Sequence, residues 1–202
     1  MTLDRFRPLA DRLLAPFVAG AVRLGLTPNA ISVIAFLLAA VAAGCFYGAG
    51  TEPLLYLAGA VLVFLNGWLD LLDGAIAREL SAESRAGDLL DHVLDRYADI
   101  VIIVGLAGGV DEWLIGIAAV TGVLMTSYLG TQAQAVDLDR VYGGLLGRAD
   151  RLALVGATTV VTAFVPRTFG ALSLVGWLLV VFAVVGHATA LQRFYYAMRA
   201  LS

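Results

Sequence analysis

The chain contains no lysine. All 13 of its basic residues are arginine, which excludes chemistry that depends on a lysine amine, such as a P-loop phosphate contact or a Schiff base. It has one cysteine, Cys45, and two histidines. No intramolecular disulfide can form, and a Cys/His zinc site lacks its ligands. Charge is scarce as well: 14% of the 202 residues are charged, against about 25% in a soluble domain. The formal net charge is −3, the opposite of the basic footprint that nucleic acid requires.

What the chain has in excess is apolar surface. Hydrophobic residues make up 60% of it, and the mean hydropathy is +0.89. A membrane-crossing helix takes about 20 mostly apolar residues, so the length accommodates six such helices with short connections and little else. The N-terminal stretch alternates Phe6, Leu9, Leu13, Leu14, Phe17 and Val18 with Asp4, Arg5, Arg7, Asp11 and Arg12. That spacing predicts an amphipathic helix lying in the membrane interface. The expected architecture is all-α: a single polytopic membrane domain over 1–202, with an interfacial helix in 1–26 and a six-helix bundle in 27–202.

The pattern predicts spans at about 31–47, 54–72, 87–106, 113–129, 152–165 and 171–190, with turns at Gly48–Pro53, Gly108–Glu112 and Pro166–Arg167. Thr27 or Asn29 is positioned to cap the first span. Arginines collect before span one, between spans two and three, between four and five, and after span six. The positive-inside rule then places both termini, and the charged ends of spans two and three, on the cytoplasmic side.

Chemistry concentrates between Asp70 and Asp95. Asp70 and Asp73 are three apart and Asp91 and Asp95 four apart, so each pair shares one helix face. A charge deep in a membrane helix costs about 2.5–3.5 kcal/mol even on a lenient scale. Four clustered carboxylates therefore demand a counter-charge, and a divalent cation supplies it. All-oxygen ligation suits Mg²⁺, Mn²⁺ or Ca²⁺, and two ions sharing carboxylates is a common arrangement at phosphoryl-transfer sites. Gly74, Ala77 and Gly87 leave room for a ligand to approach the backbone. Arg78, one turn beyond Gly74, has the fork that grips a phosphate. The predicted arrangement is two short-linked helices, antiparallel or steeply crossed, aiming their carboxylates into one pocket.

The segment resembles the signature of the CDP-alcohol phosphotransferases, D-x2-D-G-x2-A-R-x8-G-x3-D-x3-D, and meets every fixed position from Asp70 to Asp95. The resemblance implies a six-helix membrane enzyme, usually a homodimer. It would transfer a phosphatidyl-type group from a CDP-linked lipid, CDP-diacylglycerol or CDP-archaeol, to an acceptor alcohol and release CMP. By position, Asp70, Asp73, Asp91 and Asp95 would hold the metals, probed first with Mg²⁺ and Mn²⁺. Asp95 would also act as general base. Gly74, Ala77, Arg78 and Gly87 would hold the cytidine diphosphate.

For the acceptor, Ser127-Tyr128 and the stretch Tyr142 to Arg151 are similar to the inositol-phosphate-using members. Arg148 and Arg151 lie three apart on one helix face, placed to grip the acceptor phosphate. Gln132-Ala133-Gln134 departs from the Arg-Ala-Glu type cluster of those members, so glycerol 3-phosphate stays open as acceptor. A reading from another class is a cation or proton transporter built on intramembrane carboxylates. Such a protein has no need of Gly74, Ala77, Arg78 and Gly87 at those offsets, and its carboxylates usually sit near the midplane of inverted repeats.

Overall fold

In a computed structural model of the chain, residues 7–82, 84–138 and 144–201 are described, and the side chains of 7–12 are not. Asp4, Arg5 and Phe6, the side chains of Arg7, Leu9, Asp11 and Arg12, and the expected features at Arg140 and Tyr142 lie outside the described residues. Among the described residues seven α-helices follow one another: α1 (Arg7–Arg23), α2 (Pro28–Gly48), α3 (Leu55–Glu79), α4 (Arg85–Gly109), α5 (Trp113–Gln132), α6 (Arg148–Phe164) and α7 (Leu174–Leu201). By length and composition, four of the described helices are long and apolar enough to cross a membrane: α2, α3, α5 with the 3-10 turn that follows it, and α7. Helix α6 has 17 residues, and α4 carries five charged residues from Asp88 to Asp99.

The helix ends follow local capping. Pro28 opens α2, and the Thr27 hydroxyl accepts from the Ala30 N–H at 3.3 Å. Thr27 is therefore the cap, which leaves Asn29 for another role. Helix α4 begins at Arg85, two residues before the expected Gly87, because the Ser84 hydroxyl accepts from the Gly87 N–H at 3.0 Å. A serine in extended backbone at that place satisfies an otherwise orphaned donor and extends the helix backwards. The all-α expectation misses one small element. The turn at Pro166–Arg167 leads into a two-residue antiparallel ribbon, Thr168–Phe169 with Leu172–Ser173, which returns the chain through Gly170 at φ +67°.

Helix α1 docks on α3 through one stripe. Leu14, Val18 and Ala21 are buried against Ile31, Leu72 and Ile76, while Leu13 and Phe17 stay exposed on the outer side. Phe17 meets Trp68 edge-on, with ring centres 5.5 Å apart. Helix α2 packs against both α3 and α4, α5 pairs with α7, and α6 packs against α3. The closest crossings use glycine. A Cβ on Gly105 of α4 would run into the Ala43 backbone of α2, and one on Gly186 of α7 would lie 2.7 Å from the Gly122 carbonyl carbon of α5. Small residues of this kind let membrane helices approach to backbone contact.

Among the described residues α2 packs against both α3 and α4, and side chains of all three helices make the site.

Candidate active site

A cavity of about 470 Å³ opens between α2, α3 and α4. Its walls are Asp73, Gly74 and Ala77 on α3, and Gly87, Asp88 and Asp91 on α4. The linker gives Ala82 and Ser84, α4 adds Arg85 at its start, and the first turn of α2 closes the cavity with Pro28, Asn29 and Ser32. The N-termini of α2 and α4 thus converge on one space. Helix N-termini carry partial positive charge and unpaired N–H groups, which favour an anion such as a diphosphate. Gly74 is open on this side. A Cβ there would meet only the tip of Arg78, at 3.5 Å, so the position accommodates a ligand.

Deeper in, Asp70, Asp91 and Asp95 each bring one carboxylate oxygen within 4.8 Å of the others. Asp73 stands at the boundary. It is buried, accepts from the Ser32 hydroxyl at 2.7 Å, and lines both the large cavity and a small inner one shared with Asp70, Asp91 and Asp95. This donor set of hard oxygens fits a divalent cation of the Mg²⁺ or Mn²⁺ kind. Three of the four expected ligands converge directly, and the fourth is tied to α2 beside them.

Helix α6 meets the same carboxylates from the other side. Arg148 places Nη1 2.6 Å from Asp70 and Nη2 2.9 Å from Asp95. Its Nη2 also donates to the Asn66 side-chain oxygen at 3.5 Å, and Asn66 in turn donates to the Ala35 carbonyl at 2.8 Å. One turn on, Arg151 donates from Nη2 to Asp99 at 2.7 Å. Arg96 lies between the two acids, 3.3 Å from Asp99 and 3.8 Å from Asp95. Asp70, Asp95 and Asp99 thus face Arg96, Arg148 and Arg151, three formal charges of each sign. Buried charges need this pairing. Two donors remain: the Nε of Arg148 and the Nε of Arg151 are buried and donate to nothing among the described residues. A buried N–H without an acceptor is costly.

Several expected residues sit elsewhere. Arg78 is exposed above Gly74 and does not line the cavity. Ser127 and Tyr128 line neither cavity at the carboxylates. Their neighbour Thr126 is the one beside Arg151, in a small space of about 10 Å³ shared with Leu146 and Thr189. Arg193 donates to the Thr126 carbonyl at 2.6 Å and helps tie α7 to α5. His92 stays near Asp88 and Asp91, and His187 pairs with Thr121. Of the cavity's lining, sequence reasoning treated Asn29 only as a capping candidate and Arg85 only as one of the arginines that mark topology, and it did not single out Ser32.

The profile of the CDP-alcohol phosphatidyltransferase family matches residues 25–185. An archaetidylinositol phosphate synthase of Methanothermobacter thermautotrophicus is 32% identical over 200 residues, covering 98% of this chain and 95% of the relative. A phosphatidylinositol phosphate synthase of Mycobacterium tuberculosis is 33% identical over 192 residues, covering 90% and 84%. Crystal structures of the Mycobacterium tuberculosis phosphatidylinositol phosphate synthase are similar in fold at 26% identity. The one in complex with manganese and citrate superposes with TM-score 0.79 over 92% of this chain and 88% of that one. The one with CDP-DAG bound gives 0.77 over 92% and 94%.

Proposed function

The chain belongs to the CDP-alcohol phosphatidyltransferase family and is an enzyme of that class, and from that premise we propose that it moves a phosphatidyl-type group from a CDP-linked lipid to inositol phosphate. The observation that carries this reading is the shared cavity. Gly74, Ala77 and Gly87 line it together with Asp73 and Asp91, and the Asp70–Asp91–Asp95 trio lies at its inner end. An ion pathway has no use for a space of nucleotide size closed by two helix N-termini.

The cytidine diphosphate occupies the cavity, with the diphosphate toward the N-termini of α2 and α4 and the lipid chains running out into the bilayer. Mg²⁺ or Mn²⁺, held by Asp70, Asp73, Asp91 and Asp95, would supply neutralising charge for the diphosphate and the departing CMP. The Asp95 carboxylate takes the proton of the acceptor hydroxyl as that oxygen attacks the phosphorus bonded to the lipid. A new P–O bond to the acceptor forms and the P–O bond to CMP breaks. The product keeps a phosphodiester between lipid and head group.

The acceptor phosphate lies against α6, where Arg148 and Arg151 offer unused Nε donors. Arg148 already touches Asp95, so a phosphate gripped there holds its own ring hydroxyl within reach of the base. Two relatives that cover almost the whole chain are archaetidylinositol phosphate synthases, which favours inositol phosphate over glycerol 3-phosphate. The six-span arrangement, with α4 and α6 as the two shorter or more polar spans, both termini and the site in the cytoplasm, and a homodimer, belongs to the same proposal. Its support is the arginine distribution and the family membership.

The test is a purified preparation given CDP-linked lipid, Mg²⁺ or Mn²⁺, and inositol phosphate, glycerol 3-phosphate or free inositol in turn. The expected lipid product carries the mass of an inositol phosphate head group. Equal product from glycerol 3-phosphate would remove inositol phosphate as the preferred acceptor.

A further inference from the structure

Asp99 lies outside the signature, one helical turn beyond Asp95, and is 5% exposed. It accepts from Arg151 at 2.7 Å and from Arg96 at 3.3 Å. Helices α4 and α6 are therefore joined by two parallel rungs, Asp95 to Arg148 and Asp99 to Arg151, with Arg96 spanning both acids. The second rung has a particular shape. Asp99 holds Arg151 at Nη2, while Nε stays buried and unused among the described residues. A guanidinium presents its donors in a fixed planar fork. Holding one nitrogen sets the plane of the group and leaves another edge to face a ligand.

We infer that Asp99 is a positioning residue for the acceptor: it orients Arg151 so that the Nε edge meets the acceptor phosphate. The inference rests on the assignment of Arg151 to that phosphate. Asp99 touches no substrate itself, and Arg96 ties its position to that of Asp95. The Asp95 rung sets where the proton is taken, and the Asp99 rung sets where the acceptor is held.

The experiment compares Arg151→Gln, Asp99→Asn and the double variant Asp99→Asn/Arg151→Gln in purified preparations, with the KM of each substrate measured separately. Removing both members of a buried pair avoids leaving an unpaired charge, so the double variant keeps the comparison available where Asp99→Asn folds poorly. Arg151→Gln is expected to raise the KM for inositol phosphate about tenfold, the scale of one charge-assisted hydrogen bond. Asp99→Asn is expected to raise it by a similar factor with the donor KM unchanged, and the double variant to match Arg151→Gln alone. An Asp99→Asn effect shared equally by donor and acceptor, or single effects that multiply in the double variant, would overturn the positioning role. An Arg151→Gln enzyme with unchanged acceptor KM would instead remove the phosphate assignment, and the inference with it.

Discussion

Between α2, α3 and α4 the site opens into about 470 Å³ of space, whereas the inner space where Arg148 meets the carboxylates and the one beside Arg151 are of about 10 Å³ each. The first side is lined by glycine, alanine and helix N-termini. The second is filled by guanidiniums held on carboxylates. The two proposed ligands give this difference a reason. A nucleotide diphosphate is large and flat-sided, and small side chains make room for it in advance. An acceptor phosphate is small and doubly charged, and what it needs is a set of arginines already fixed in place. Pairing them with acids fixes them and also neutralises them in a low-dielectric setting.

The largest effect is expected where the two sides meet. Asp95→Asn removes the proton acceptor from both, and transfer should fall about 10²- to 10⁴-fold, read as CMP formed in a single turnover at saturating substrates. Next comes the open side. Gly74→Leu places bulk into space where a Cβ meets only the tip of Arg78, so the chain should fold. The donor KM should rise about tenfold or more, the scale of excluding a buried apolar contact, with the acceptor KM unmoved. A rise in both would show that the sides are not separate. On the filled side, Arg148→Gln should raise the acceptor KM about tenfold. It should also lower thermal stability, because Asp70 and Asp95 lose their guanidinium. The smallest change is expected at the cavity mouth. The Asp88 side chain is 78% exposed, and Asp88→Asn should shift the donor KM by no more than about twofold, as exposed charges do.

The open side was largely legible in the sequence, because its chemistry is local. Spacings of three and four place Asp70 with Asp73 and Asp91 with Asp95 on helix faces, and Gly74, Ala77 and Gly87 line the cavity they were assigned to. What escaped was the part supplied by α2. Ser32 reaches Asp73 across 41 positions, and no periodicity reports such a contact. For the same reason the packing of α2 against both carboxylate helices was not legible. The filled side was legible only as residue types. Arg148 and Arg151 stand out as a pair three apart, but their partners come from other helices, Asp99 from 52 positions away. Asp99 itself sits in an acidic stripe where nothing local distinguishes it from Asp88.

The central claim is that Asp95 couples the two sides, so that donor cleavage waits for the acceptor. The most direct measurement follows CMP release from a CDP-linked lipid by the purified enzyme with Mn²⁺, with and without inositol phosphate, alongside an EDTA-treated sample and Asp95→Asn. The account predicts one CMP for each inositol phosphate lipid formed, and only background CMP without acceptor, without metal or without the Asp95 carboxylate. CMP released at the same rate whether or not the acceptor is present, or undiminished transfer by Asp95→Asn, would contradict it.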